Sequence, residues 1–167
     1  DMDSDIDLVR SFMSVHSSGV HVLCSPKSPI YAETISAEKV RNLLNLLRSY
    51  YDYVIIDNQP FFDDVTITAL ESSSNIIFVA GLDISIVKNS KLSISILDSL
   101  RLSEKILLAV NRDDAGAITV RDVSRALNQK VWHKLPSDHK TALASLNRGV
   151  PFVLTTPSSK LTQGIDL

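Results

Sequence analysis

Five short apolar runs, each closed by turn residues, alternate with stretches of helical period along this 167-residue chain. The runs are VHVLCSP (Val20 to Pro26), YVIIDN (Tyr53 to Asn58), NIIFVA (Asn75 to Ala80), KILLAVN (Lys105 to Asn111) and VWHKLP (Val131 to Pro136). They are rich in β-branched and aliphatic residues, which predicts strands buried on both faces. Between them, Ser36 to Tyr50 has apolar residues at Val40, Leu43, Leu44 and Leu47, and Ile84 to Leu100 has them at Val87, Leu92, Ile96 and Leu100. Each stretch is long enough to be a crossover helix between parallel strands. Ser36 is placed to cap the first, with Glu38 in its first turn, and Thr119 to cap a shorter helix ending near Asn128. The pattern predicts an α/β fold, a mostly parallel sheet with helices on both faces, in one domain over residues 1–167.

Composition narrows the function classes. A content of 44% hydrophobic and 22% charged residues suits a globular protein with a real core, and a net charge of −2 offers no general attraction for nucleic acid. The lone cysteine, Cys24, allows neither an internal disulfide nor a cysteine-only zinc site, and is expected in the core. No apolar run approaches the roughly 20 residues that span a bilayer, and the acidic start DMDSDIDL is unlike a signal peptide, so a cytoplasmic protein is expected. The four histidines, His16, His21, His133 and His139, form no helical metal-binding pair. There is no G-x-S-x-G nucleophile elbow. Lys88, Lys91, Arg121 and Arg125 read as exposed helix charge, and Trp132 as core.

In parallel sheets ligands bind at the carboxyl ends of strands, so the residues just past each run carry the functional reading. Asp57 closes the second run. An aspartate there holds a phosphate-bound magnesium ion in nucleotide enzymes, or else caps the next helix or turn. Asn111, followed by Arg112, Asp113 and Asp114, closes the fourth run, and Pro136, Ser137 and Asp138 follow the fifth. An asparagine amide offers a donor and an acceptor to a purine edge, and groups near a strand-ending proline can complete a base pocket. A plain turn at Asn111 to Asp114 and a helix cap at Ser137 or Asp138 are the alternatives.

The order YDYVIID, then FDDVTITALESSSNIIFVAGLDISIVKNSK, then LLAVNRDDAGAITVRDVSRALNQKVWHKLPSDHKTALASLNRGVPFVL resembles the MinD/ParA family of deviant Walker ATPases. Within it the resemblance is to the CpaE/TadZ branch, which helps localise Flp (Tad) pilus assembly. It runs from about His16 to Val153 and rests on NRxD, I-x-x-RDV-x-x-AL, P-x-D and A-x-x-x-NRGVP together. The resemblance implies ATP with Mg2+ in the complete protein, a homodimer formed across the nucleotide, and pilus or secretion assembly proteins as partners, with recruitment to the cell pole or inner membrane. It gives Asp57 the Walker B role toward magnesium, Asn58, Gln59 and Pro60 the switch II turn, Asn111 the adenine contact, and Pro136, Ser137 and Asp138 the base pocket. Gln59 stands where the family often has the first proline of D-x-P-P. A non-catalytic scaffold on the same fold and a ParA-like partition ATPase binding DNA are the alternative functions.

A phosphate loop needs closely spaced glycines followed by Lys and Ser or Thr. The five glycines, Gly19, Gly81, Gly116, Gly149 and Gly164, lie far apart, and none precedes a lysine. The expectation is that these residues are the carboxyl-terminal portion of an ATPase domain whose phosphate loop and first strand precede Asp1. The chain alone is then expected to lack ATPase activity. Strand edges left without that neighbour would favour self-association.

Overall fold

The computed structural model describes residues 5–26, 28, 34–113 and 117–165, which fall into two compact units, 1–73 and 74–167. In the first unit, helix α1 (Ile6–Ser11) leads into a short antiparallel hairpin of β1 (Ser14–Val15) and β2 (His21–Val22). Helix α2 (Ala37–Tyr50) follows, capped as expected by Ser36, whose hydroxyl accepts the Lys39 N–H at 3.3 Å. Its period of three to four residues puts Leu47 against Ile6 and Val9, with Leu43, Leu46, Met13 and Val54 packed around them. Helix α3 (Asp64–Ser72) packs along α2, and Arg41 and Arg48 reach across to Glu71 at 3.5 Å and to the Ser72 carbonyl at 3.4 Å. Tyr51 donates to or accepts from His21 at 2.9 Å, joining the end of α2 to the hairpin.

The second unit is a parallel sheet in the order β3-β4-β5 flanked by helices, the α/β architecture that the strand and helix alternation predicts. Strand β3 (Ile76–Ala80) is joined to β4 (Ile106–Asp113) through α4 (Ile84–Ser99) and a turn of 3-10 helix, and β4 to β5 (Val131–Pro136) through α5 (Val120–Leu127). β4 is central and apolar from Ile106 to Val110, and Leu108 and Val110 are wholly buried with Leu97 of α4 and Val123 of α5. The Thr119 cap is reciprocal: its hydroxyl accepts the Asp122 N–H at 3.2 Å, while Asp122 accepts the Thr119 N–H at 3.0 Å. Asn128 closes α5 in the left-handed conformation. Helices α6 (His139–Arg148), α7 (Phe152–Thr155) and α8 (Lys160–Ile165) complete the unit. No helix among the described residues is long and apolar enough to cross a membrane.

Several expectations are corrected. Tyr53 to Asn58 belongs to no sheet among the described residues, and Tyr53 and Ile55 are 87% and 93% exposed. An apolar run becomes a strand only where another backbone pairs with it, and here only its Val54 side has core to rest on. The expected strand at Val20 to Pro26 shrinks to the two residues of β2. Cys24 is exposed rather than buried. Trp132 of β5 is 45% exposed, and Ile77 and Val79, two residues apart on one face of β3, are exposed as well, in a sheet that has β3 and β5 as its outer strands among the described residues.

Candidate functional site

Strands β4 and β5 end side by side, with Asp113 aligned to Pro136, so Asn111 to Asp113 and Pro136 to Asp138 share one end of the sheet. The fourth residue of the expected turn, Asp114, lies outside the described residues. The end of β4 is irregular. Its register with β5 slips between Val110 and Asp113, and Arg112 adopts a φ of 58°. A side chain in that left-handed region costs on the order of 1 kcal/mol, so neighbouring contacts must hold it. Asn111 supplies one, its Oδ1 accepting the Arg112 N–H at 2.9 Å, which leaves its Nδ2 hydrogens to donate. Lys134 supplies another from β5, 3.8 Å from the Asp113 carboxylate. Backbone strain of this kind gathers at ligand clamps, and Asn111 is half-buried at its centre.

On the β5 side, Pro136 ends the strand, half-buried, and Ser137 leads into α6. Asp138 is the cap of α6, accepting the Thr141 N–H at 3.0 Å. That backbone bond, then the Thr141 hydroxyl, and then the charges of Lys160 and Lys140 hold its carboxyl below the ordinary aspartate range. Of the two sequence readings of this turn, the capping role is therefore real for Asp138. Beneath Pro136 lies α8, where the Gly164 carbonyl bonds to His133 Nε2.

Asp57, Asn58, Gln59 and Pro60 belong to the first unit, where all four are exposed and the chain bends at Pro60 and Phe61. Asp57 has no hydrogen-bond or ion-pair partner among the described residues. It does not cap the next helix; Asp63 does, accepting the Thr66 N–H at 2.7 Å, and that bond lowers the Asp63 carboxyl's pKa.

Each unit offers groups of a kind that a nucleotide uses. In the second, a half-buried amide with free donors, a proline edge and a helix start are suited to a base. A magnesium ion on a nucleotide takes only one or two protein oxygens, and the open carboxylate of Asp57 is of the right kind. The phosphate end is not supplied by these residues. Gly19 and Gly149, the described glycines of positive φ, sit at the β1–β2 turn and at the end of α6, and neither stands beside a lysine. Two features escaped the sequence reading. The strained Arg112 had only the Asn before it as a signal, and the packing of Gly164 on Pro136 had none.

No known family profile and no curated protein matches the chain. Solved structures do. A ParA family ATPase from Chlorobium tepidum TLS superposes with a TM-score of 0.90 at 22% identity, over 96% of this chain and 67% of that one. The MinD cell division protein of Aquifex aeolicus gives a TM-score of 0.76 at 21% identity, over 92% of this chain and 64% of that one. The septum site-determining protein MinD of Pyrococcus horikoshii OT3, complexed with Mg-ADP, gives 0.77 at 19% identity, over 92% and 64%. The chain thus spans about two thirds of the length of these proteins. Its parallel sheet and flanking helices have the fold of these ParA and MinD ATPases.

Proposed function

We propose that this chain is part of a single MinD/ParA-type ATPase domain of the CpaE/TadZ kind, acting in the localisation of pilus assembly. In the complete protein ATP with Mg2+ serves as a switch that favours a homodimer, and the dimer engages pilus or secretion assembly proteins at the cell pole or inner membrane. The observation that carries this reading is the strained end of β4 at Asn111 to Asp113, beside Pro136 to Asp138, on a fold shared with a MinD complexed with Mg-ADP. In this reading Asn111, Pro136, Ser137 and Asp138 face the base. Asp57 serves the metal, and Asn58, Gln59 and Pro60 form the turn that responds to the phosphates.

Calorimetric titration of MgATP into the 167-residue chain and into a form extended at its amino end with a phosphate loop tests the proposal. Binding by the extended form, with none by the shorter one, is the expected result. Tight binding and turnover by the shorter chain, or no binding by either, would overturn it.

A second reading, a non-catalytic interaction platform on the same fold, is favoured by one observation: no glycine in these residues is followed by lysine. Under that reading the extended form ignores ATP yet still associates with its partners.

A further inference from the structure

The last strand of the sheet, β5, has no neighbour beyond it among the described residues, and a cleft of about 520 Å³ opens along that edge. Val120, Arg121 and Ser124 of α5 form one wall, and four consecutive β5 residues from Val131 to Lys134 form the other. Successive side chains of a strand point to opposite faces. Four in a row can therefore line only a cleft that meets the strand at its edge. Trp132 and Lys134 are both exposed there, and the Trp132 ring is braced by His133 at 5.5 Å between centroids.

The lining carries two cations, Arg121 and Lys134, and no carboxylate. Arg121 makes no direct ion pair among the described residues, and Lys134 is tied only to Asp113 at 3.8 Å. Exposed edge strands are ordinarily blunted against pairing, and here the blunting charges are positive.

We propose that this edge receives an extended acidic segment of a partner protein, which adds a strand to β5. Backbone groups of the segment pair with the β5 edge, one of its apolar side chains rests on Trp132, and its carboxylates meet Arg121 and Lys134. An unpaired strand edge and a positive cleft favour this occupant over a second copy of the chain, which would bring the same cations against themselves. The inference does not depend on nucleotide binding.

Trp132 is the single tryptophan, so its fluorescence reads the cleft directly. The 167-residue chain is titrated with an octapeptide of alternating glutamate and valine, and separately with its lysine and valine counterpart and with a short oligothymidylate. A saturable change in emission with the acidic peptide alone is expected. It should weaken with added salt and by about tenfold or more in the Arg121→Glu, Lys134→Glu double variant. Arg121→Gln serves as a milder probe, with a smaller loss expected, should the double variant fail to fold.

An equal response to the basic peptide, a response to oligothymidylate instead, or undiminished acidic-peptide binding in folded variants would overturn the proposal. So would no response to the acidic peptide. Emission that shifts with protein concentration alone, in step with sedimentation, would assign the cleft to a second copy and equally overturn it.

Discussion

Gly164 of α8 lies directly on Pro136 at the end of β5: a β-carbon on the glycine would stand 2.6 Å from the proline Cδ. The obstacle is a rigid ring, which cannot swing away as a flexible side chain would. This contact sets how closely the last helix approaches the candidate base seat. Gly164→Ala is expected to cost about 1–3 kcal/mol of stability, the usual range for forced overpacking, read as a lower urea midpoint. A midpoint equal to the parent's would mean that α8 moves aside freely.

Arg112 holds the left-handed conformation at the end of β4. Arg112→Gly removes the steric cost and is expected to stabilise the chain by about 0.5–1 kcal/mol. The same change frees the backbone that Asn111 braces, so MgATP affinity of the amino-extended form should fall. Stability and affinity moving in opposite directions would identify the strain as functional; affinity that rises with stability would argue against it.

Asp57 is exposed and unpartnered among the described residues, so its removal should leave folding untouched. In the amino-extended form, Asp57→Ala is expected to weaken magnesium-dependent ATP binding by about tenfold or more, equivalent to ~1.4 kcal/mol. Nucleotide binding without magnesium should barely change. An altered melting temperature with unaltered magnesium dependence would assign Asp57 a structural role instead.

Leu108 and Ile55 are both aliphatic residues of apolar runs, yet one is wholly buried and the other 93% exposed. Leu108→Ala should cost about 2–5 kcal/mol, as for other fully buried leucines. Ile55→Ala should change stability by less than about 0.5 kcal/mol. Urea denaturation of both variants checks the contrast, and sedimentation of Ile55→Ala tests whether the exposed run drives self-association.

Asp63, Asp122 and Asp138 each accept hydrogen bonds at a helix start that lower their carboxyl pKa values. For Asp63 and Asp138 the largest cause is the backbone N–H of Thr66 and of Thr141; for Asp122 it is the Thr119 hydroxyl. Because the folded values lie below the unfolded one, these bonds contribute fully above about pH 4 and are lost as pH falls through the depressed values. Thermal midpoints should therefore be insensitive to these groups from neutral pH to about pH 5, and decline below about pH 4. Asparagine caps a helix comparably but does not titrate, so Asp138→Asn should flatten part of that acid decline. An unchanged acid limb in the variant would count against the assignment.

The local code was legible. Ser36 and Thr119 were read as caps and act as caps, β5 spans Val131–Pro136 as its pattern predicts, and α2 buries Leu44 and Leu47 of its apolar period; α4 forms where expected but buries Ser90, Ile94 and Leu97, leaving Leu92 and Ile96 of the expected face exposed. Each of these depends on residues a few positions apart, and side-chain period and capping chemistry are written at that range. Pro136 was legible as a strand end for the same reason, whereas β4 runs two residues past the expected end at Asn111, to Asp113. What the tertiary structure decided is which backbone lies beside which. Among the described residues β4 became the buried centre of the sheet while β3 and β5 became its outer strands, and Leu108 is hidden where Trp132 is exposed. Tyr53 to Asn58 carries a strand's composition but lies in no sheet among the described residues. The left-handed Arg112 and the seating of Gly164 on Pro136 likewise arise from contacts between distant segments. Strand pairing and close packing are non-local, and no window of sequence contains both partners.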